Sequence, residues 1–380
     1  MKKKYIILSI ITLVLLIAFV TSFNYFKTSN TYVENNSNNQ TKITKGISMN
    51  LEQTAGAGDY KQVTQSSWPT KGYKFNAELS KCENGGEISW DDTKKAVIVS
   101  GNLSDKCYVY FDIYQLTLAE YIKSQYTGTQ GENNIYYHDS SLANGAGDNS
   151  YRYAGASDSV NNYICLGSDA TTCPDANLFR IIGVFGNQKK VIRAKSVGYQ
   201  QWHTSADNTW SSSSLNAYLN GTYLTSLGTI AEKIATTTWK VGGGSGSNIS
   251  ASVPKTAYKN EVGSSASTTI IDKKIGLMYV SDYGFAASPS AWTKILGDYD
   301  GTDANGTSIK TINWMYMGYN EWTISRHSDN TNSAFFVNST GNVLGSNVRS
   351  DNGVRPSFNL ESSVKYVSGS GTIENPIRIN

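Results

Sequence analysis

The sequence predicts an α+β protein in four segments: an N-terminal transmembrane or signal helix, a disordered stalk, a small antiparallel β domain and a larger α+β domain. Three observations predict it. Short alternating apolar runs, bounded by Gly, Asn and Asp, recur on both sides of the chain's middle. Apolar residues at helical spacing cluster between them, at Leu215, Ala217, Tyr218 and Leu219 and again at Leu227, Ile230, Ala231 and Ile234. Only 17% of the 380 residues are charged, against 25 Tyr and 34 Gly, which suits a β-rich or loop-rich exported domain better than a helical cytosolic enzyme.

Taken in order, Lys2, Lys3 and Lys4 precede an apolar block running from Tyr5 to about Val20. Such a block closes its backbone bonds inside hydrocarbon only as a helix, and the lysines keep its N-terminus cytoplasmic. Residues 1–26 are therefore expected to be a signal anchor that contacts the membrane through residues 5–26, with Tyr25 and Phe26 at the outer interface. A signal peptide cleaved near Ser22 is the alternative, and it secretes the chain. Either way the remainder lies outside the cytoplasmic membrane. Residues 27–66 carry the run Asn35-Asn36-Ser37-Asn38-Asn39-Gln40 and then Ala55-Gly56-Ala57-Gly58, so a flexible linker is expected there.

Four short runs follow Trp68-Pro69, at residues 73–79, 87–90, 96–99 and 107–111, with turn residues between them. They predict the small β domain, 67–112, whose slight core calls for a covalent staple. The second domain, 113–380, opens on a short helix over 116–123. Strands are expected at 163–165, 178–185 and 190–194, the last two joined across Gly186-Asn187-Gln188 with left-handed turn residues. Ser211 to Ser214 cap a helix that ends at Asn220-Gly221. Residues 242–252 read as a flexible loop, 275–280 as a buried strand, and 333–337 with 343–344 as a late hairpin.

The four cysteines pair most simply within domains, Cys82 with Cys107 and Cys165 with Cys173; the other two connectivities tie one domain to the other. A net charge of +3, with no basic run after residue 4, predicts no nucleic-acid partner. His138, His203 and His327 fall in no zinc spacing. Asp298, Asp300 and Asp303 are a calcium candidate, although the run breaks the EF-hand pattern at its sixth and twelfth positions. Ser252-Val253-Pro254-Lys255 matches a Ser-x-x-Lys motif by letter only, because its Pro opposes the helix that motif requires. No catalytic motif and no cofactor is expected. Aromatic surface remains: Trp202, Trp210, Trp292, Trp314 and Trp322 could supply the rigid amphipathic faces that bind sugars or proteins, although most of them are expected in the core.

Three stretches together carry a resemblance. They are residues 162–183, which include Cys165, Cys173-Pro174 and Leu178-Phe179-Arg180-Ile181-Ile182-Gly183; residues 210–220; and Trp322-Thr323-Ile324-Ser325-Arg326 with Gly353-Val354-Arg355-Pro356-Ser357-Phe358. The chain from about 130 to 380 resembles a functionally uncharacterised domain of Gram-positive surface and phage-related proteins. That domain is distantly similar to the C-type-lectin-like fold shared with formylglycine-generating enzymes, the sulfatase-modifying factors. Residues 82–111 resemble a small Cys-stapled β module often found ahead of it. The resemblance implies that Trp322 and Arg326 lie on core strands and that Arg355 closes the domain before its final strand. It also makes Trp314, Trp322, Arg326 and His327 candidates for a ligand surface. The calcium and sugar signatures of true C-type lectins are missing. The expected function is binding of a glycan or protein ligand at the cell surface, without catalysis. An extracellular cell-wall-active or modifying enzyme with an unrecognised site, or a structural surface component, is the alternative.

Overall fold

Ile47, Met49 and Leu51 alternate with Ser48 and Asn50 along a strand that is buried from Ser48 onward on both faces, within the sheet of the first of two units, Met1–Gln115. The computed structural model describes residues 46–64, 68–69, 72–101 and 105–380. The expected anchor, 1–26, and the first part of the expected linker lie outside the described residues. Among those described, no helix is long and apolar enough to cross a membrane.

The first unit holds β1 (Gly46–Glu52), β2 (Tyr60–Val63), β3 (Tyr73–Cys82), β4 (Glu87–Asp91), β5 (Ala96–Ser100) and β6 (Lys106–Ile113). Four of them form a sheet in the order β2-β1-β6-β3, and β4 with β5 makes a separate hairpin. The four strands expected from sequence pair antiparallel, β3 with β6 and β4 with β5. The expected linker is corrected. Residues 46–63 supply two more strands, and β1 lies between β2 and β6, parallel to β6 with Leu51 opposite Phe111. The core is slight: Met49, Leu51, Val97, Val109 and Phe111, with Trp68, Phe75 and Trp90 packed against it. Cys82 faces Cys107 across the β3–β6 pair, and the two are bonded.

The second unit, Leu116–Asn380, opens with α1 (Leu118–Ser124), held by a capping box in which Thr117 and Glu120 each accept the other's backbone N–H. Then come β7 (Ile135–Tyr137), β8 (Tyr151–Tyr153), β9 (Tyr163–Cys165), β10 (Leu178–Phe185), β11 (Gln188–Arg193) and β12 (Tyr199–Gln201). Helix α2 (Ser214–Tyr218), capped by Ser213, does not stop at Asn220 but runs on through a π turn. A 3₁₀ segment, Gly228–Lys233, takes the place of the second expected helix. Next are β13 (Thr237–Lys240), α3 (Pro254–Glu261), β14 (Ile270–Lys273), β15 (Ile275–Gly276) and α4 (Val280–Ala286). The chain ends with β16 (Glu321–Arg326), β17 (Ser333–Val337), β18 (Val343–Asn347), β19 (Asp351–Gly353), β20 (Ser357–Leu360), β21 (Tyr366–Ser368) and β22 (Arg378–Ile379).

Two sheets organise this unit. Seven strands run β15-β20-β11-β10-β8-β7, with β9 also on β10, and five run β12-β19-β16-β17-β18. The β10–β11 loop has two residues, Gly186 and Asn187, and of these only Gly186 is left-handed (φ 62°), the pattern of a type II′ turn. Gly183 lets β8 close on β10, since a Cβ there would meet the Tyr151 carbonyl at 2.3 Å. The expected strand 275–280 is only Ile275–Gly276, and Val280 already belongs to α4. Pro254, read as opposing a helix, opens α3 instead. In the first turn its missing N–H removes no helical bond. Cys165 and Cys173 are bonded, as their locality suggested.

Candidate functional site

The tryptophans are not a surface. Trp202, Trp210, Trp292, Trp314 and Trp322 are each 1% exposed or less. Their ring nitrogens mostly turn inward too: Trp314 donates to the Tyr153 carbonyl (2.8 Å) and Trp322 to that of Gln200 (2.9 Å). As ligand-surface candidates Trp314 and Trp322 are therefore corrected to core residues, because an indole that finds a backbone acceptor loses nothing on burial. Arg326 and His327, at the end of β16, stay half-buried. The Arg326 guanidinium donates to the Gly242 carbonyl (3.0 Å) and to Asn208 Oδ1 (3.2 Å). His327 stacks on Phe335 at 5.0 Å. The loop 242–252, read as flexible, is pinned there by a bridge between Gly244 and His327.

The calcium candidate does not assemble. Asp303 Oδ1 accepts the backbone N–H groups of Asn305 and Thr307, both at 2.8 Å, while Asp298 and Asp300 are exposed. A hydrogen bond from Ser290 and these N–H groups hold the Asp303 carboxyl below its ordinary range. Among the described residues no three His, Cys, Asp or Glu side chains gather to hold a metal. Arg355 is buried and pairs with Glu321 (Nε–Oε1 2.5 Å, Nη2–Oε2 3.0 Å) while donating to the Met315 carbonyl (2.8 Å). It ties β16 to the start of β20.

Two constellations escape a reading of the sequence. The first is a buried charge cluster between β8, β11, α3 and α4. Arg152 donates to Asp148 (2.6 Å), lies 3.9 Å from Asp282, and spreads its cation over Phe185 and Phe285. Lys190 meets Asp282 at 2.5 Å and sits over the rings of Tyr279 (4.4 Å) and Trp239 (5.3 Å). Glu261, the last residue of α3, accepts the N–H groups of Val280 and Ser281 and the Ser325 hydroxyl, so its carboxylate caps α4. Burial pushes Glu261 up and Lys190 down. Burial also raises Asp148, but the Arg152 charge and the bonds from Ser150, Arg152 and Tyr258 outweigh it and hold it at about 2. The only hint in the sequence is Lys189-Lys190 inside an apolar strand.

The second is a tyrosine face at the β7 edge. Tyr137 and Tyr151 stand opposite each other on β7 and β8 and stack at 4.5 Å, with Tyr126 edge-on to Tyr151 at 5.7 Å. All three rings are only half-buried. Lys123 lies 5.9 Å over the Tyr151 ring. Gln130 gives and takes a hydrogen bond at the Tyr137 backbone, both 2.9 Å, and so occupies the strand's outer edge. Partial burial, then Tyr137, Tyr126 and Asp139, raise the Tyr151 phenol above its ordinary value, so it stays a neutral donor. The signal available in sequence was Tyr136-Tyr137 and Tyr151-Arg152-Tyr153, two Tyr-rich runs whose pairing no local pattern shows.

No curated protein and no solved structure matches this chain. One family model does: residues 187–362 match a domain of unknown function (DUF6273). The match begins inside the β10–β11 turn and ends just after β20, so the folded unit is larger than the matched span, since β11 pairs with β10 outside it.

Proposed function

We propose that this chain is an exported, membrane-anchored surface protein whose large, lectin-like unit binds a glycan, with Tyr126, Tyr137 and Tyr151 as the contact face. The observation that carries the reading is that these three rings stand together half-open while the large unit's tryptophans are consumed in its core. Tyrosine offers a flat CH-accepting face and a polar tip at little conformational cost. Gln130, Asn149 and Lys123 give the face a polar surround. Two disulfides fit an oxidising compartment. The apolar block after three lysines supplies the anchor, with the folded units on the extracytoplasmic side. The reading includes no catalysis and no bound cation.

The test is a titration of the oxidised full chain, in detergent, against peptidoglycan fragments, wall polymers and host glycans, with and without EDTA. Saturable binding indifferent to EDTA is expected. Tyr151→Ala should weaken it by about 30-fold, the ~2 kcal/mol of a central aromatic contact. Unchanged affinity in that variant moves the site elsewhere, and silence across the panel turns the search to a protein partner. Turnover of any of these polymers overturns the reading.

A further inference from the structure

The buried charge cluster has a feature that a structural ion pair does not need. A primary amine and a carboxyl carbon are held together in a dry, aromatic-walled site, with a second carboxyl and a guanidinium beside them. Lys190 and Asp282 are 5% and 4% exposed, their contact is 2.5 Å, and Tyr279 and Trp239 wall it. Asp282 is fixed by accepting the Tyr279 N–H (2.9 Å), and the Arg152 guanidinium faces its other oxygen at 3.9 Å. Lys190 is fixed by its place in β11, between β10 and β20. Neither side chain has room to drift.

We infer that Lys190 and Asp282 condense into an intramolecular isopeptide bond that ties β11 of the seven-stranded sheet to α4. Removing two full charges from water costs several kcal/mol per ion, whereas a neutral amide in the same place carries no such penalty. The step begins with one proton transfer along the existing contact, from the Lys190 ammonium to the Asp282 carboxylate, which gives the neutral tautomer, amine and acid; burial, which pushes Lys190 down, favours the amine. In the neutral tautomer the Nζ lone pair adds to Asp282 Cγ, forming the N–C bond. The developing oxyanion lies toward Arg152, a preorganised cation. The Cγ–O bond then breaks, and its hydroxyl leaves with an amine proton as one water. No oxidant, reductant or cofactor enters the balance. The Glu261 carboxylate lies near enough for its charge to act on Lys190. The entropic cost of bringing the partners together is met by folding, and such intramolecular placement is worth effective molarities of about 10⁵ M or more. The remaining charges, Arg152 with Asp148 and Glu261 on the α4 N-terminus, keep their partners.

The experiment is peptide mapping by mass spectrometry of the oxidised full-length protein after complete denaturation. The expected result is one joined species containing the Lys190 and Asp282 peptides, lighter than their sum by one water, with no tryptic cleavage after Lys190. Asp282→Ala and Lys190→Met should each abolish it. Asp282→Asn should give the same bond with loss of ammonia instead. Separate Lys190 and Asp282 peptides of unmodified mass from the wild-type chain overturn the inference, whatever the variants do. The outcome is independent of whether the tyrosine face binds anything.

Discussion

Trp322 has no exposed surface, and its ring nitrogen reaches across to the Gln200 carbonyl. Its truncation therefore opens a cavity and strands an acceptor together. Trp322→Ala should cost about 3–5 kcal/mol by urea unfolding, where a ligand-facing Trp on the surface would cost about 0.5. Arg355 is a structural residue by the same logic. Arg355→Met leaves the Glu321 carboxyl buried without its partner, an expected loss of about 3–5 kcal/mol that Glu321→Leu should largely restore in the double variant. His138 is also fully buried: its Nδ1 accepts the Ala146 N–H at 3.0 Å and its Nε2 finds no partner, against Phe285 and Trp292. Burial, with the Arg152 charge adding and Asp148 opposing, holds it well below the ordinary histidine range. The sign follows. The unfolded chain takes up a proton near pH 6.5 that the folded one refuses, so stability is full above that pH and falls below it. Between pH 7.5 and 5.5 the loss should be about 1.4 kcal/mol, seen as a lowered urea midpoint and absent from a His138→Gln variant. Asp148, held at about 2, does not titrate in that window.

At the scale of elements, β1 shows how much of the small unit was legible. Its alternation is plain once seen: Ile47, Met49 and Leu51 separated by Ser48 and Asn50. Composition hid it, because it lies between an Asn-rich run and an Ala-Gly repeat that both argue for a coil. Such polar flanks say nothing about a strand whose partner, β6, lies some sixty residues on. Because the small core depends on β1, Leu51→Ala should cost about 3 kcal/mol and open this unit. The readout is faster reduction of Cys82–Cys107 by dithiothreitol, with Cys165–Cys173 unchanged. A rate unaltered at both bridges would show that β1 contributes little. Helices were legible where caps were strong, as at Thr117 with Glu120 and at Ser213. They were missed where the usual breaker occupied its one tolerated place, as Pro254 does, or where a strand-like run turned into a helix, as at Val280.

At the scale of the whole molecule, each unit carries its own staple, and their cores differ greatly in size. Reductant should therefore unfold the first unit at a lower denaturant concentration while leaving the near-ultraviolet signal of the large unit's tryptophans. The candidate sites belong to this scale as well. Tyr137 meets Tyr151 because β7 pairs with β8, and Lys190 meets Asp282 because α4 packs beside β11. The sequence by itself determined what depends on neighbours: the apolar block behind three lysines, the period of most strands, the first cap, the Gly186 turn and two local disulfides. Only the tertiary structure decided which faces those elements share. It sent the large unit's indoles inward, left Tyr126, Tyr137 and Tyr151 half-open, and brought Lys190 to an acid 92 residues away. The physical reason is that periodicity records which side of an element avoids water. It does not record the partner, which is chosen by sheet order and by where a polar edge on a large ring can find a hydrogen bond.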